Sequence, residues 1–167
     1  AANGSTFRFL TTGQGGALVP PQADAGVYDE LSYLLDLTGA PNVSRFRAHC
    51  FFSISPGVAY MASGSPLMLH KADDPSAEPV TVYINDNYGQ FNIPTALVGQ
   101  KLWVSIPITN FASPADWSKL TQTYLQAQNG VTEGHYFIVD NIQLRESGAP
   151  YLTGSQAEWP VVEPEPT

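Results

Sequence analysis

Charge is scarce in this chain. Asp, Glu, Lys and Arg make up 13% of its 167 residues, about half the usual quarter. Only 7 are Lys or Arg against 15 acidic residues, for a net charge of −8. That balance supplies no basic field for nucleic acid or an anionic membrane, although a local basic patch stays compatible with an anionic glycan. The single cysteine, Cys50, allows no internal disulfide. No apolar run approaches the roughly 18 residues of a membrane span, and no secretory leader pattern is present. No long helical pattern is present either, so a helical enzyme is disfavoured.

Motifs of catalysis are missing too. No nucleophile-elbow pattern surrounds a serine, and the histidines (His49, His70 and His135) have no zinc-ligand spacing with Cys50 or carboxylates. Glycoside hydrolysis needs two carboxyls across a cleft. Asp29, Glu30, Asp36, Asp86, Asp116, Glu133 and Asp140 show no Glu-x-Asp-x-x-Glu arrangement of the laminarinase-type hydrolases. Arg45, Arg47, His49 and Tyr83 supply the residue types of a polysaccharide lyase, but not its sequence blocks.

What is present is turn chemistry and alternation. The chain holds 14 Gly, 14 Pro and 11% aromatics. Short runs of period two start at Thr6, Tyr28, Phe46, Gly57, Leu67, Val80, Phe91, Leu102, Leu120 and Phe137. Loops rich in Gly, Pro, Asp and Ser separate them. Strands at such intervals predict an all-β domain, a β-sandwich of the jelly-roll type. A single helical turn is expected from Asp116, capped by Ser113 or Asp116. Residues 1–148 are assigned to the sandwich and 149–167 to a C-terminal extension. The alternation Glu163-Pro164-Glu165-Pro166 in that extension is linker composition and predicts attachment to a further module.

Parity within each strand separates core from surface. Phe46, Ala48, Cys50 and Phe52 point inward, which makes Cys50 a buried thiol, while Arg47, His49 and Phe51 point outward. By the same rule Val80, Val82 and Ile84 are core and Thr81 and Tyr83 are not. Leu102, Val104, Ile106 and Ile108 are core, so Trp103 and Ser105 face out, as do Tyr124, Gln126 and Gln128 against Leu125 and Ala127. Four strands thus each offer an outward aromatic: Phe51, Tyr83, Trp103 and Tyr124. If they share one sheet, its face suits a sugar chain, with rings for the apolar pyranose faces and Arg47, His49 and Gln126 for the hydroxyls. Tyr88, in the turn Asn85-Asp86-Asn87-Tyr88-Gly89, adds a ring at a loop tip. Tyr28, Tyr60 and Trp117 are further loop candidates.

The segment LWVSIPITNF, a Thr/Gln-rich strand LTQTYLQAQ and then HYFIVDNIQLRE (Leu102–Glu146) resembles the C-terminal half of β-jelly-roll carbohydrate-binding modules. The resemblance spans about a quarter of the chain. It implies non-catalytic binding of polysaccharide by a secreted, extracellular module that targets a catalytic module in the same polypeptide to its substrate. It also implies a structural Ca²⁺ held by Asp140 of the Asp140-Asn141-Ile142 motif with backbone carbonyls. The acidic motif that often accompanies that site is missing from the first residues, Ala1-Ala2-Asn3-Gly4-Ser5. Two alternatives stay open: a lyase or hydrolase on the same scaffold, and an adhesive sandwich whose target is a protein.

Overall fold

The computed structural model describes residues 6–10, 29–52, 57–111 and 120–154. The helical turn expected from Asp116 lies outside them, as do Tyr28, Trp117 and the Glu/Pro tail. The described residues form ten strands: β1 (Thr6–Leu10), β2 (Glu30–Asp36), β3 (Arg45–Phe52), β4 (Val58–Tyr60), β5 (Pro66–Lys71), β6 (Val80–Tyr83), β7 (Gln90–Asn92), β8 (Lys101–Pro107), β9 (Leu120–Ala127) and β10 (Ile138–Arg145). Two 3-10 turns, Thr95–Leu97 and Ile108–Asn110, complete the regular structure among the described residues. Each alternating run in the sequence has become a strand.

The strands make two antiparallel sheets, so the domain is an all-β sandwich. Sheet A runs β1-β9-β3-β4, with β7 also paired to β3; sheet B runs β10-β2-β8-β5-β6. Alternation explains both. Leu31, Tyr33 and Leu35 on β2, Leu102, Val104 and Ile106 on β8, Leu67 and Leu69 on β5, and Ile142 and Leu144 on β10 form the inner side of sheet B. Phe46, Ala48, Cys50, Phe91, Leu125 and Ala127 form that of sheet A. Phe46 sits at the centre, with Phe91 at 6.0 Å and the edge of Phe137 at 5.5 Å. Each buried side chain of this size contributes about 1.5–3 kcal/mol.

Cys50 is part of this core, and burial pushes its thiol up to about 12 against the opposing hydrogen bond from Thr123. A thiol so held stays protonated and unreactive. One inward assignment fails: Val80 is exposed. It is the first residue of β6, the edge strand of sheet B, which has a partner on one side only.

The expectation of a single aromatic face is also corrected here. Phe51 and Tyr124 belong to sheet A, whereas Tyr83 and Trp103 belong to sheet B. Both pairs point away from the core, but toward opposite sides of the sandwich.

Candidate functional site

The outer face of sheet A gathers most of the expected binding residues. β3 is its central strand, with β9 along one side and β4 and β7 in succession along the other. This register sets His49 between Tyr124 and Tyr60, and Arg47 between Gln126 and Gln90. The His49 imidazole stacks on Tyr124 at 4.0 Å between centroids, with Tyr60 at 5.0 Å and Phe51 at 5.1 Å. Phe51 meets Tyr124 edge-on at 6.3 Å. His49 and Tyr124 are buried by this mutual contact, whereas Tyr60 (40% exposed) and Tyr88 (55%) stand above them in solvent. Tyr60 meets Tyr88 edge to face at 5.5 Å. Rings in such contact add about 0.5–1.5 kcal/mol per pair beyond their buried area. The result is a rigid aromatic floor with two exposed phenols.

Its polar border comes from β9 and from the turn between β6 and β7. Gln128 Nε2 donates to Gln126 Oε1 at 2.7 Å, beside Arg47. Arg47 reaches over Tyr88, 5.6 Å from the ring centroid, and pairs with Asp86 at 3.3 Å. Asp86 organises the turn: its Oδ1 accepts the amides of Tyr88 (2.8 Å) and Gln90 (2.9 Å). Gly89 has φ +82°, and its amide segment lies so close to β3 that a Cβ would overlap the Ala48 carbonyl oxygen. The Ala48 amide in turn donates to the Gly89 carbonyl at 3.0 Å. Only glycine fits there. The sequence Asp86-Asn87-Tyr88-Gly89 therefore does two things: it closes the turn and it holds Tyr88 over Arg47.

A pH dependence follows. Burial works to raise the Asp86 pKa, but the Gln90 and Tyr88 amides and the Arg47 guanidinium outweigh it and hold the carboxyl below its ordinary range. A depressed folded-state pKa gives stability that is present above the unfolded value of about 3.9 and is lost as pH falls through the folded value. The gap in thermal midpoint between the parent and Asp86→Asn is accordingly expected to be constant at neutral pH and to close as pH drops below about 4. A gap independent of pH would remove Asp86 ionisation from the account of this turn.

Of the eight expected ligand-binding residues, sheet A and its turn bring together six: Arg47, His49, Phe51, Tyr88, Tyr124 and Gln126. Tyr60, read from the sequence only as a loop candidate, is a β4 residue in the middle of the cluster. Tyr83 and Trp103 lie on the far sheet. Tyr83 is 61% exposed and sits opposite Pro66, while Trp103 sits opposite His70 at the other end of β5. Trp103 is only 8% exposed, because Tyr151 lies flat on it at 4.4 Å and 5°. Tyr151 was assigned to the extension, yet residues 149–152 lie against sheet B. With Glu30, Ser32, Ser105, Gln143 and Arg145, it forms a buried polar layer that strand parity alone did not single out.

Asp140 stands where β10 shifts register against β2, between Asp140 and Gln143. Asn141 there has φ +52°, and its amide donates to Asp140 Oδ1 at 2.8 Å. Among the described residues Asp140 is not joined by two further Asp, Glu, His or Cys side chains into a metal-binding group. Asp140 supplies one carboxylate at this bulge, and the remaining oxygens of a calcium shell would have to come from backbone carbonyls. Comparison with protein-family models, with curated proteins and with solved structures finds no match for this chain.

Proposed function

We propose that the outer face of sheet A binds polysaccharide without catalysing any change in it. In this reading the domain is a secreted module that tethers a glycan-degrading catalytic module to its substrate. The observation that carries the reading is the continuous run of His49, Phe51, Tyr60, Tyr88 and Tyr124 in mutual contact beside Arg47, Gln126 and Gln128. Rings packed edge to face present a firm apolar surface, and the amides supply donors and acceptors at its border for sugar hydroxyls. Because the Arg47 charge is already met by Asp86, the face suits neutral chains at least as well as acidic ones. Tethering acts through effective concentration, so modest affinity in one module is enough. The strand order supports the jelly-roll form of the sandwich: β1-β9-β3-β7 in one sheet faces β2-β8-β5-β6 in the other, with β10 added at the β2 edge.

Calorimetry and affinity electrophoresis on a panel of neutral and acidic polysaccharides test the function. The parent is expected to bind at least one member, and Tyr60→Ala/Tyr88→Ala to weaken that binding about tenfold or more, a loss of roughly 1.4 kcal/mol. Far-UV circular dichroism should stay native, since both rings are exposed. New reducing ends or unsaturated products would replace this reading with an enzyme. A protein ligand with no glycan response would replace it with an adhesive role. An added chelator arm tests the calcium that the family resemblance implies at Asp140.

A further inference from the structure

The outer face of sheet B is occupied by the chain itself. β10 ends at Arg145, and a turn closed by the Ala149 amide on the Glu146 carbonyl (3.0 Å), with Gly148 at φ +84°, throws the next residues back across the sheet. What they cover is unusual for the solvent side of a strand layer. Arg145 and Glu30 face each other in register and pair at 2.9 Å, with side chains only 7% and 4% exposed. Arg145 Nε donates to Ser32 Oγ at 3.1 Å, and the Ser32 hydroxyl lies 3.4 Å from that of Ser105. Next to Ser105 along β8 is Trp103, with His70 across from it on β5.

The strap is held by side chains of the sheet acting on its ring and backbone. Tyr151 lies parallel on Trp103, and its hydroxyl meets Ser105 Oγ at 2.7 Å. The Arg145 guanidinium is 4.0 Å from the Tyr151 centroid and also donates to the carbonyls of Glu146 and Ala149. Gln143 reads Leu152 in both directions: Nε2 donates to its carbonyl at 3.0 Å, and Oε1 accepts its amide at 2.8 Å. His70 packs its edge against Tyr151 at 5.7 Å, and its solvent-shielded Nε2 meets no hydrogen-bond partner among the described residues. A flat platform, a hydroxyl partner beside it, and an amide and guanidinium that take carbonyl or hydroxyl oxygens would serve another extended ligand equally well.

We propose that this face is a second glycan site, for a neutral sugar chain, kept closed by residues 149–152. Tyr151 takes the place of one sugar ring, flat on Trp103 with its hydroxyl on Ser105. The ligand is neutral because the Arg145 charge is met by Glu30 and because the present occupant, a phenol, carries none. The apparent affinity of such a site is reduced by the fraction of molecules in which the strap is lifted. The proposal goes beyond the sheet A reading and does not depend on it, since the two faces lie on opposite sides of the sandwich.

The 167-residue chain is titrated calorimetrically with hexasaccharides of β-1,4-glucan, β-1,3-glucan, xylan and mannan, and with an oligogalacturonate. Tyr151→Ala is expected to bind at least one neutral hexamer about tenfold or more tighter than the parent, as expected when a closed state is removed. The oligogalacturonate should show no gain. Adding Trp103→Ala should abolish the gain, and adding Tyr88→Ala should leave it. A natively folded Tyr151→Ala with no gain on any neutral hexamer overturns the proposal, as does a gain that survives Trp103→Ala. Should Tyr151→Ala fail to fold, amide exchange on the parent decides. Excess neutral hexamer must speed exchange at Leu152, whose amide Gln143 holds, and unchanged exchange across the set overturns the proposal. Loss of Tyr88-dependent binding alone would sink only the sheet A reading.

Discussion

Val104→Asp is expected to abolish folding at room temperature. Val104 is fully buried on β8, between Leu102 and Ile106 on the same strand and in register with Tyr33 on one side and Leu69 on the other. All of these neighbours belong to the apolar core, so a carboxylate there meets neither a cation nor a ring of donors. The effective penalty for an ion taken out of water is several kcal/mol even after relaxation, and the lost valine contacts add to it. Total stability for a domain of this kind is about 5–15 kcal/mol, so the deficit reaches the scale of the whole. Circular dichroism and urea titration should report an unfolded or grossly loosened chain. The control is Thr81→Asp, an exposed outward position on the edge strand β6, which should shift stability by no more than about 0.5 kcal/mol. Cooperative unfolding of Val104→Asp near the parental midpoint would mean that β8 does not run through the centre of the core.

That pair of substitutions also marks what strand parity can tell from sequence. A period of two says which residues of a strand point inward, and it did so for β3, β8 and β9 with Val80 on β6 as the failure. It carries no information on which sheet a strand joins. In a sandwich whose chain crosses repeatedly between layers, two outward residues on different strands are as readily back to back as side by side. Phe51 with Tyr124, and Trp103 with Tyr83, fell on opposite sides for that reason. Nor does outward mean wet. His49 and Tyr124 shield each other, and Trp103 is shielded by Tyr151 from a segment that reads as the start of a linker. The polar layer of sheet B left a faint signal, since Gln143 and Arg145 alternate with Ile142 and Leu144, and Glu30 and Ser32 with Leu31 and Tyr33. What the sequence lacks is the register that sets Arg145 opposite Glu30. The turn at Asp86 was the most legible part of the site, because its Asx chemistry and its glycine are local.

Arg145→Met is expected to be the most damaging change outside the apolar core. It leaves Glu30 almost wholly buried with its cation gone, and removes the donors to Ser32 and to the strap carbonyls of Glu146 and Ala149. Removing one member of a buried ion pair costs about 3–5 kcal/mol, which for a chain of this length lowers Tm by roughly 6–20 °C. A buried pair of this kind is weak evidence for stability, and the double variant tests that here. Glu30→Leu/Arg145→Met replaces both charges with apolar groups of similar reach, and such replacements are often neutral or stabilising. Thermal melts of the parent, both single variants and the double variant form a closed cycle. The expected pattern is two large losses that do not add, with the double variant near the parent. If the double variant is folded and stable, the buried charges on sheet B are dispensable for the fold. If instead the two losses simply add, Arg145 and Glu30 act separately and the polar layer is a set of independent structural contacts.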